Sequence, residues 1–347
     1  MSRRGSWTWL WARFALAFSV ALTLACKGVS KSPEERLREA AVTGSSAEVK
    51  ELVAKGAKAD EPSADGTTAI RNAARFGRAE IVRVLIDAGA DVKQKDRYGY
   101  TLVMDAVRSA KDLSSDGRPI FGDGNYEETV KLLIASGVDV NATNHVGRTA
   151  LAIAVESPYS ARDTSDKVTV TRIVRILLEA GADINAGTSS ILHMAAMGGY
   201  GDVIRAILES RRVNVNSLNA NNETPLMVAL QYGYVDVARS LAAAGADVNA
   251  RGKDGRTALM LAVEKGDPSL AETIIDMGAD PNQKDSSGKS VLHQAVAKGK
   301  GDVLRVLLAK GADPNARDGS GMTALKSAEW AGRGDIAEML KAAGAKE

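Results

Sequence analysis

The side chains able to carry chemistry are few and scattered. Cys26 is the one cysteine in 347 residues, so no disulfide closes within the chain and no thiolate cluster holds a metal. His145, His193 and His293 stand 48 and 100 residues apart, without the short-spaced Cys or His that completes a zinc site. Asp112, Asp116 and Asp123 could gather a calcium ion. Their spacing is not that of an EF-hand loop, however, and a solvated acidic loop is the simpler reading. Gly122-Asp123-Gly124 and Gly198-Gly199-Tyr200-Gly201 follow no strand and lack the lysine of a phosphate loop, so they read as turns. Gly319-Ser320-Gly321 has no His and Asp placed to complete a triad. This inventory predicts no catalytic residue, no cofactor and no metal ligand. It leaves a binding surface.

Charge narrows the partners. The formal balance is +2, yet Arg3, Arg4 and Arg13 all fall in the first 25 residues, and the remainder carries 42 basic against 43 acidic side chains. Nucleic-acid binding needs a concentrated basic face, so it is not expected. Phe14–Ala25 is an uncharged run following those arginines, too short for the ~20 residues of a spanning helix and suited to a secretory signal. The run ends Leu22-Thr23-Leu24-Ala25-Cys26, which resembles a bacterial lipobox, with Thr23 where that motif usually has leucine. The resemblance implies a signal over 1–25, acylation of Cys26 and attachment to a membrane facing the periplasm or cell surface. An ordinary cleaved signal, or an uncleaved anchor over Trp7–Ala25, are the alternatives.

The elements behind any binding surface repeat. Gly245, Gly278, Gly311 and Gly344 are 33 residues apart, and Gly56 and Gly89 keep the same step. A second ruler runs through Thr68, Thr101, Thr149, Ser190, Thr224, Thr257, Ser290 and Thr323. Self-similarity at this period specifies a stack of small units. Thr224-Pro225-Leu226 and Ser290-Val291-Leu292-His293 open their units as ankyrin repeats do, and over roughly residues 33–347 the chain resembles that family. The fold class expected is an all-α repeat solenoid of about nine helix–turn–helix units with finger turns. Residues 26–33 form the anchor cysteine and a polar spacer, and 34–347 the solenoid.

Within a unit the chemistry is local. The opening Thr or Ser caps the first helix, and the residues two and five places later share its buried face. A glycine nine places on ends that helix in a left-handed residue, and another, twenty-one places on, ends the second. Asp-Val-Asn or Asp-Pro-Asn then starts the finger. In the family, the histidine at the place of His193 and His293 bonds turn backbone, whereas His145, on a finger, reads as solvated. Leu37–Ala41 matches a first helix, with a charged set of neighbours that suits an end cap. The last unit closes at Gly344, so the array reads as complete.

Two units depart from the ruler. Thr101 to Thr149 is 48 residues and Thr149 to Ser190 is 41, which places inter-helix insertions at about 110–125 and 158–168. These units carry Ala110 and Pro158 where the glycine belongs, as a long loop in place of a tight turn would allow. Phe121, Tyr126 and Tyr159 are expected to bury against one another there, with Asn125 and Glu128 restarting the second helix. The irregular stretch 101–218 is expected to be the weakest part of the stack, with Trp330 reporting on the C-terminal part.

Family arrays meet partners through finger tips and the concave face of the first helices. Carried onto this chain, those places hold Arg75 and Phe76, then Arg108, Tyr232 and Trp330 on helices. Arg97, Tyr98, Tyr100, His145 and Arg148 lie on fingers. With only 4% aromatic residues, the grouping of Phe76, Tyr98 and Tyr100 over adjacent units is the best interface candidate. The reading is an exported, lipid-anchored, monomeric and non-catalytic scaffold for an unidentified protein partner. An accessory factor for a neighbouring enzyme, or ion binding by the 110–125 insertion, is the alternative.

Overall fold

The computed structural model describes residues 31–111, 124–156, 164–186, 190–210 and 212–346. Cys26 and the leader, the centre of the first insertion with Asp112, Asp116, Phe121 and Asp123, and Pro158 and Tyr159 of the second lie outside the described residues. Eighteen helices are described, in nine consecutive pairs. The first five pairs are α1 (Pro33–Thr43) with α2 (Ser46–Ala54), α3 (Ala69–Arg75) with α4 (Ala79–Asp87), α5 (Leu102–Lys111) with α6 (Tyr126–Ala135), α7 (Ala150–Val155) with α8 (Thr164–Glu179), and α9 (Ile191–Gly198) with α10 (Gly201–Glu209). The last four are α11 (Pro225–Gln231) with α12 (Val235–Ala243), α13 (Ala258–Lys265) with α14 (Pro268–Asp276), α15 (Val291–Lys298) with α16 (Gly301–Ala309), and α17 (Ala324–Trp330) with α18 (Gly334–Ala342). First helices pack on first helices of neighbouring units and second helices on second helices. One apolar core runs from Leu37 to Leu340. The fold is the all-α repeat solenoid that the 33-residue period requires.

Local chemistry forms each unit. The hydroxyls of Thr68, Thr149, Thr224, Thr257 and Thr323 accept the N–H three residues on, satisfying one of the donors that a helix start leaves open. From the second unit onward the position two after the cap is a fully buried Leu, Ile or Val, as in Ile70, Leu151 and Leu292, and the position five after it is a buried alanine; Leu37 and Ala40 fill the same two places in the first unit. Alanine there lets neighbouring first helices approach closely, and each larger side chain fills the space beside it. Gly77, Gly199 and Gly299 end their helices at φ of 62°, 66° and 67°, in the left-handed region where a side chain is strained.

Most of the described fingers are closed by a side-chain acceptor, whereas 252–256, with Gly252 in that place, is closed by backbone bonds alone. The Asp96 carboxylate takes the N–H of Tyr98 and Tyr100 at 2.9 and 2.8 Å, and Asp318 takes those of Ser320 and Met322 at 2.9 and 3.0 Å. The Ser320 hydroxyl and these N–H donors hold the Asp318 carboxyl at about 2. Asn222, at φ 58°, occupies the finger place that glycine fills elsewhere, a conformation asparagine tolerates.

A second ladder ties unit to unit. Asn141, Asn216, Asn249, Asn282 and Asn315 each bond twice to the backbone of the next unit. Asn249, for example, accepts from the Asp280 N–H at 2.8 Å and donates to the Gly278 carbonyl at 2.9 Å. The ion pairs joining second helices, such as Lys50–Glu80 and Arg83–Glu128, are exposed and contribute little individually.

The structure corrects two expectations. The stretch 164–168 is not loop: α8 has 16 residues and starts seven ahead of its register, so the second insertion is partly two added helical turns. Its Val170 is buried, which gives the extension an apolar contact to hold it. Tyr126 is buried, its hydroxyl donating to the Arg75 carbonyl of the preceding unit at 3.2 Å and its ring lying against Gly77, while the expected contacts with Phe121 and Tyr159 fall outside the described residues. Trp330 is 88% exposed, so its emission changes little on unfolding and amide exchange must follow the C-terminal units instead. Asn125 does restart the second helix, accepting the Glu128 N–H at 3.1 Å. At the other end Ser32 caps α1 through the Glu35 N–H at 3.1 Å, so the first helix reaches back to Pro33.

Candidate binding face

The residues proposed for binding divide into a cluster and three outliers. Tyr98, 55% exposed, sits at the tip of the finger 96–100, with the Arg97 guanidinium 4.9 Å from its ring centroid. Tyr100 is half-buried at the finger base, and Arg108, exposed on α5, lies 5.2 Å from its ring. Guanidinium over ring is an attractive arrangement that leaves the charge open to a partner. The next finger packs alongside: the His145 N–H donates to the Tyr98 carbonyl at 3.0 Å, and a side chain added at Gly99 would meet the His145 ring at 2.8 Å. Arg148 reaches Glu156 at 2.7 Å, so this arginine is already paired.

Phe76 belongs to another edge. It caps the C-terminus of α3, and its carbonyl lies against Gly124, where a side chain would come within 2.2 Å. A helix of 7 residues is ~10 Å long, which sets Phe76 at the opposite end of α3 from the fingers. Tyr232, 54% exposed, and Trp330 stand three and six units away from Tyr98. At 8–10 Å per packed helix, neither joins the cluster.

A buried charge network under this face was missed by sequence reasoning. Asp105 on α5 and Arg71 on α3, each 1% exposed, form an ion pair between consecutive units. The other carboxylate oxygen accepts from Arg75 Nε at 3.2 Å. Arg71 also donates to the Tyr100 and Gln94 carbonyls at 3.2 and 3.3 Å, which fixes the finger root to the helix below, while its Nε has no partner. Asp105 thereby aims Arg75 along the first-helix face. The signal was present in the repeat columns: Arg71 and Asp105 put charges on the third and fourth places of first helices whose neighbours there include Met104, Ile153 and Val228.

His193 and His293 bridge units as the family resemblance implies. Their Nδ1 atoms lie 2.7 and 2.8 Å from the Ser190 and Ser290 hydroxyls, and their Nε2 atoms 2.8 and 2.9 Å from the Glu223 and Met322 carbonyls of the next finger. Nε2 facing a carbonyl carries the proton, and Nδ1 accepts. Burial lowers the His193 pKa below 6.5, against the opposing pull of the Glu223 carbonyl and carboxylate. A base whose folded pKa is depressed contributes stability that is present above pH 6.5 and lost as pH falls through the folded value. Amide exchange in α9 and α11, corrected for intrinsic rates, is therefore expected to accelerate on acidification from neutral pH. The same scan on His193→Gln should show a smaller acceleration; equal acceleration in both proteins would assign the effect elsewhere.

Among the described residues no three His, Cys, Asp or Glu side chains gather as metal ligands. Helix pairs stacked with finger turns, carrying a rigid aromatic and arginine face, define the class of binding-repeat proteins. A family model described as "Ankyrin repeats (3 copies)" matches overlapping segments within 37–346, and the chain belongs to the ankyrin-repeat family. It is 29% identical over 193 residues to a B-cell lymphoma 3 protein homolog of Mus musculus, covering 48% of this chain and 40% of that protein. It is 29% identical over 177 residues to the ankyrin repeat and KH domain-containing protein mask-1 of Caenorhabditis elegans, covering 50% of this chain and 6% of that one. The match to the human transient receptor potential cation channel subfamily A member 1 is 24% over 175 residues, 50% of this chain and 14% of the channel. The chain thus spans less than half the length of these relatives.

Proposed function

We propose that the protein is a non-catalytic scaffold that binds a protein partner through its finger and first-helix face while Cys26, acylated, holds it at a bacterial envelope membrane. The observation that supports binding most directly is the pre-ordered cluster of Arg97, Tyr98, Tyr100 and Arg108. Their rings and guanidiniums are stacked and their finger is locked by Asp96, so little side-chain entropy remains to be lost on association. Family membership adds to this, since repeat arrays offer extended surfaces to other proteins. Export and anchoring rest on the leader composition and on the position of the single cysteine. An accessory role beside an enzyme is the same binding activity with a different partner.

The anchor has a direct test. One acyl chain binds membranes at only ~10⁴ M⁻¹, whereas two or more hold stably. Cys26→Ser is expected to abolish fatty-acid labelling and either leave the precursor unprocessed or move the protein to the soluble fraction. Absence of label on the wild type, with unchanged attachment of the variant, would remove the lipoprotein reading.

A further inference from the structure

The step between the second and third units lacks the asparagine rung. Lys93 occupies the column held by Asn141, Asn216, Asn249, Asn282 and Asn315. The groups such an asparagine would bridge, the Asp139 N–H and the Gly137 carbonyl, have no hydrogen-bond partner among the described residues. A cleft of about 240 Å³ is open at this place, lined by Lys93, Lys95, Gly137, Val138 and Asp139, with Thr101 and Ala142 at its base. It lies at the root of the finger that carries Arg97 and Tyr98.

The charges around the cleft are unequally committed. Among the described residues, no carboxylate lies within 4.0 Å of the charged ends of Lys93, Lys95, Arg97 or Arg108. The carboxylates nearby are already engaged by backbone: Asp91 accepts the Lys93 N–H at 2.8 Å, Asp96 closes its finger, and Asp139 accepts the Asn141 N–H at 2.9 Å. Asp105 is buried against Arg71 and Arg75. Lys93, Lys95 and the open Asp139 N–H belong to the cleft, Arg97 and Tyr98 to the finger that starts there, and Arg108 to the helix that follows, its guanidinium over the Tyr100 ring at the base of that finger.

We infer that this face takes an acidic peptide segment of the partner, its carboxylates meeting Lys93, Lys95, Arg97 and Arg108 and one of them accepting the Asp139 N–H in place of the missing rung. Apolar side chains between those carboxylates lie on Tyr98 and Val138. The inference rests on the scaffold reading above and specifies the partner's chemistry. Ionic contacts of this kind, made by exposed side chains, steer and orient a partner, and their strength falls with added salt.

The test uses the full chain in detergent and a short labelled peptide of repeating Glu-Leu-Gly, with its Gln-Leu-Gly counterpart as reference. The glutamate peptide is expected to bind at least about tenfold tighter than the glutamine peptide at low salt. Arg97→Glu with Arg108→Glu should remove that preference, while Arg251→Glu on a distant finger leaves it. Lys93→Asn should raise the thermal stability by supplying the rung and weaken the glutamate peptide, because the same backbone groups are then occupied. Equal binding of the two peptides, or a preference that survives reversal of both arginines, would overturn the inference. So would reversal-sensitive binding to short-chain phosphatidylglycerol micelles without a glutamate preference, which would assign the face to lipid headgroups. Photo-crosslinking from Tyr98 in membranes separates this inference from the broader reading. If the reversed variant captures the same protein as wild type, the scaffold stands and the acidic segment falls. If the wild type captures none, the scaffold reading itself fails.

Discussion

Asp105→Ala is expected to destabilise the second and third units by about 3–5 kcal/mol, the usual cost of removing one partner from a buried ion pair. The loss arises because Arg71 stays charged and almost fully buried, with its Nε already lacking a partner and only carbonyls left to receive its other N–H groups. Arg75 would lose the oxygen that holds it, and the Tyr100 finger root would loosen with Arg71. Asp105→Asn should cost less, since an amide oxygen still accepts. Arg71→Met combined with Asp105→Leu should fall within about 1 kcal/mol of wild type, because apolar side chains of similar volume avoid the desolvation of both charges. Regional amide exchange in α3 and α5 is the appropriate measurement, as a repeat array opens unit by unit. A loss below about 1 kcal/mol for Asp105→Ala would mean that the pair is solvated in solution.

Gly288→Ala is expected to detach the last finger, at a cost of about 2–4 kcal/mol, whereas Gly311→Ala costs about 1–2 kcal/mol. Both glycines are left-handed, at φ 77° and 88°, so the intrinsic strain of adding a side chain is alike. Their surroundings differ. A side chain at Gly311 meets nothing within 4 Å, while at Gly288 it would stand 2.6 Å from the Gly319 nitrogen and 2.9 Å from its Cα. Backbone cannot yield as a flexible side chain can. The fingers would separate and the bond from the Gly319 N–H to the Ser287 carbonyl, now 3.2 Å, would lengthen or break. Exchange of the amides over 317–323 should accelerate in Gly288→Ala and stay near wild type in Gly311→Ala. Equal effects of the two substitutions would show that strain alone, without contact between fingers, accounts for the cost.

Much of this architecture was determined by the sequence itself, because the interactions that build a unit span few residues. Thr224 capping Met227, His293 meeting Ser290, Asp96 closing on Tyr100 and Gly299 turning left are contacts over three or four positions or properties of one residue. Repetition then made the stack unavoidable, since no unit can bury both faces of its helices alone. What the tertiary structure decided lies one full unit away along the chain. Arg71 and Asp105 are 34 residues apart, and only stacking brings them into contact. The Tyr126 hydroxyl crosses 51 positions back to the Arg75 carbonyl, because a buried hydroxyl requires an acceptor and that helix end offers one. The insertion around 158–168 showed its length but not its conformation, and the added turns of α8 exist because Val170 finds a core to enter. Lys93 was equally legible as a residue, yet its meaning depended on knowing that asparagines in its column reach across to the next unit's backbone. A side chain's type is local information, whereas its partner is set by the 33-residue step at which the helices stack.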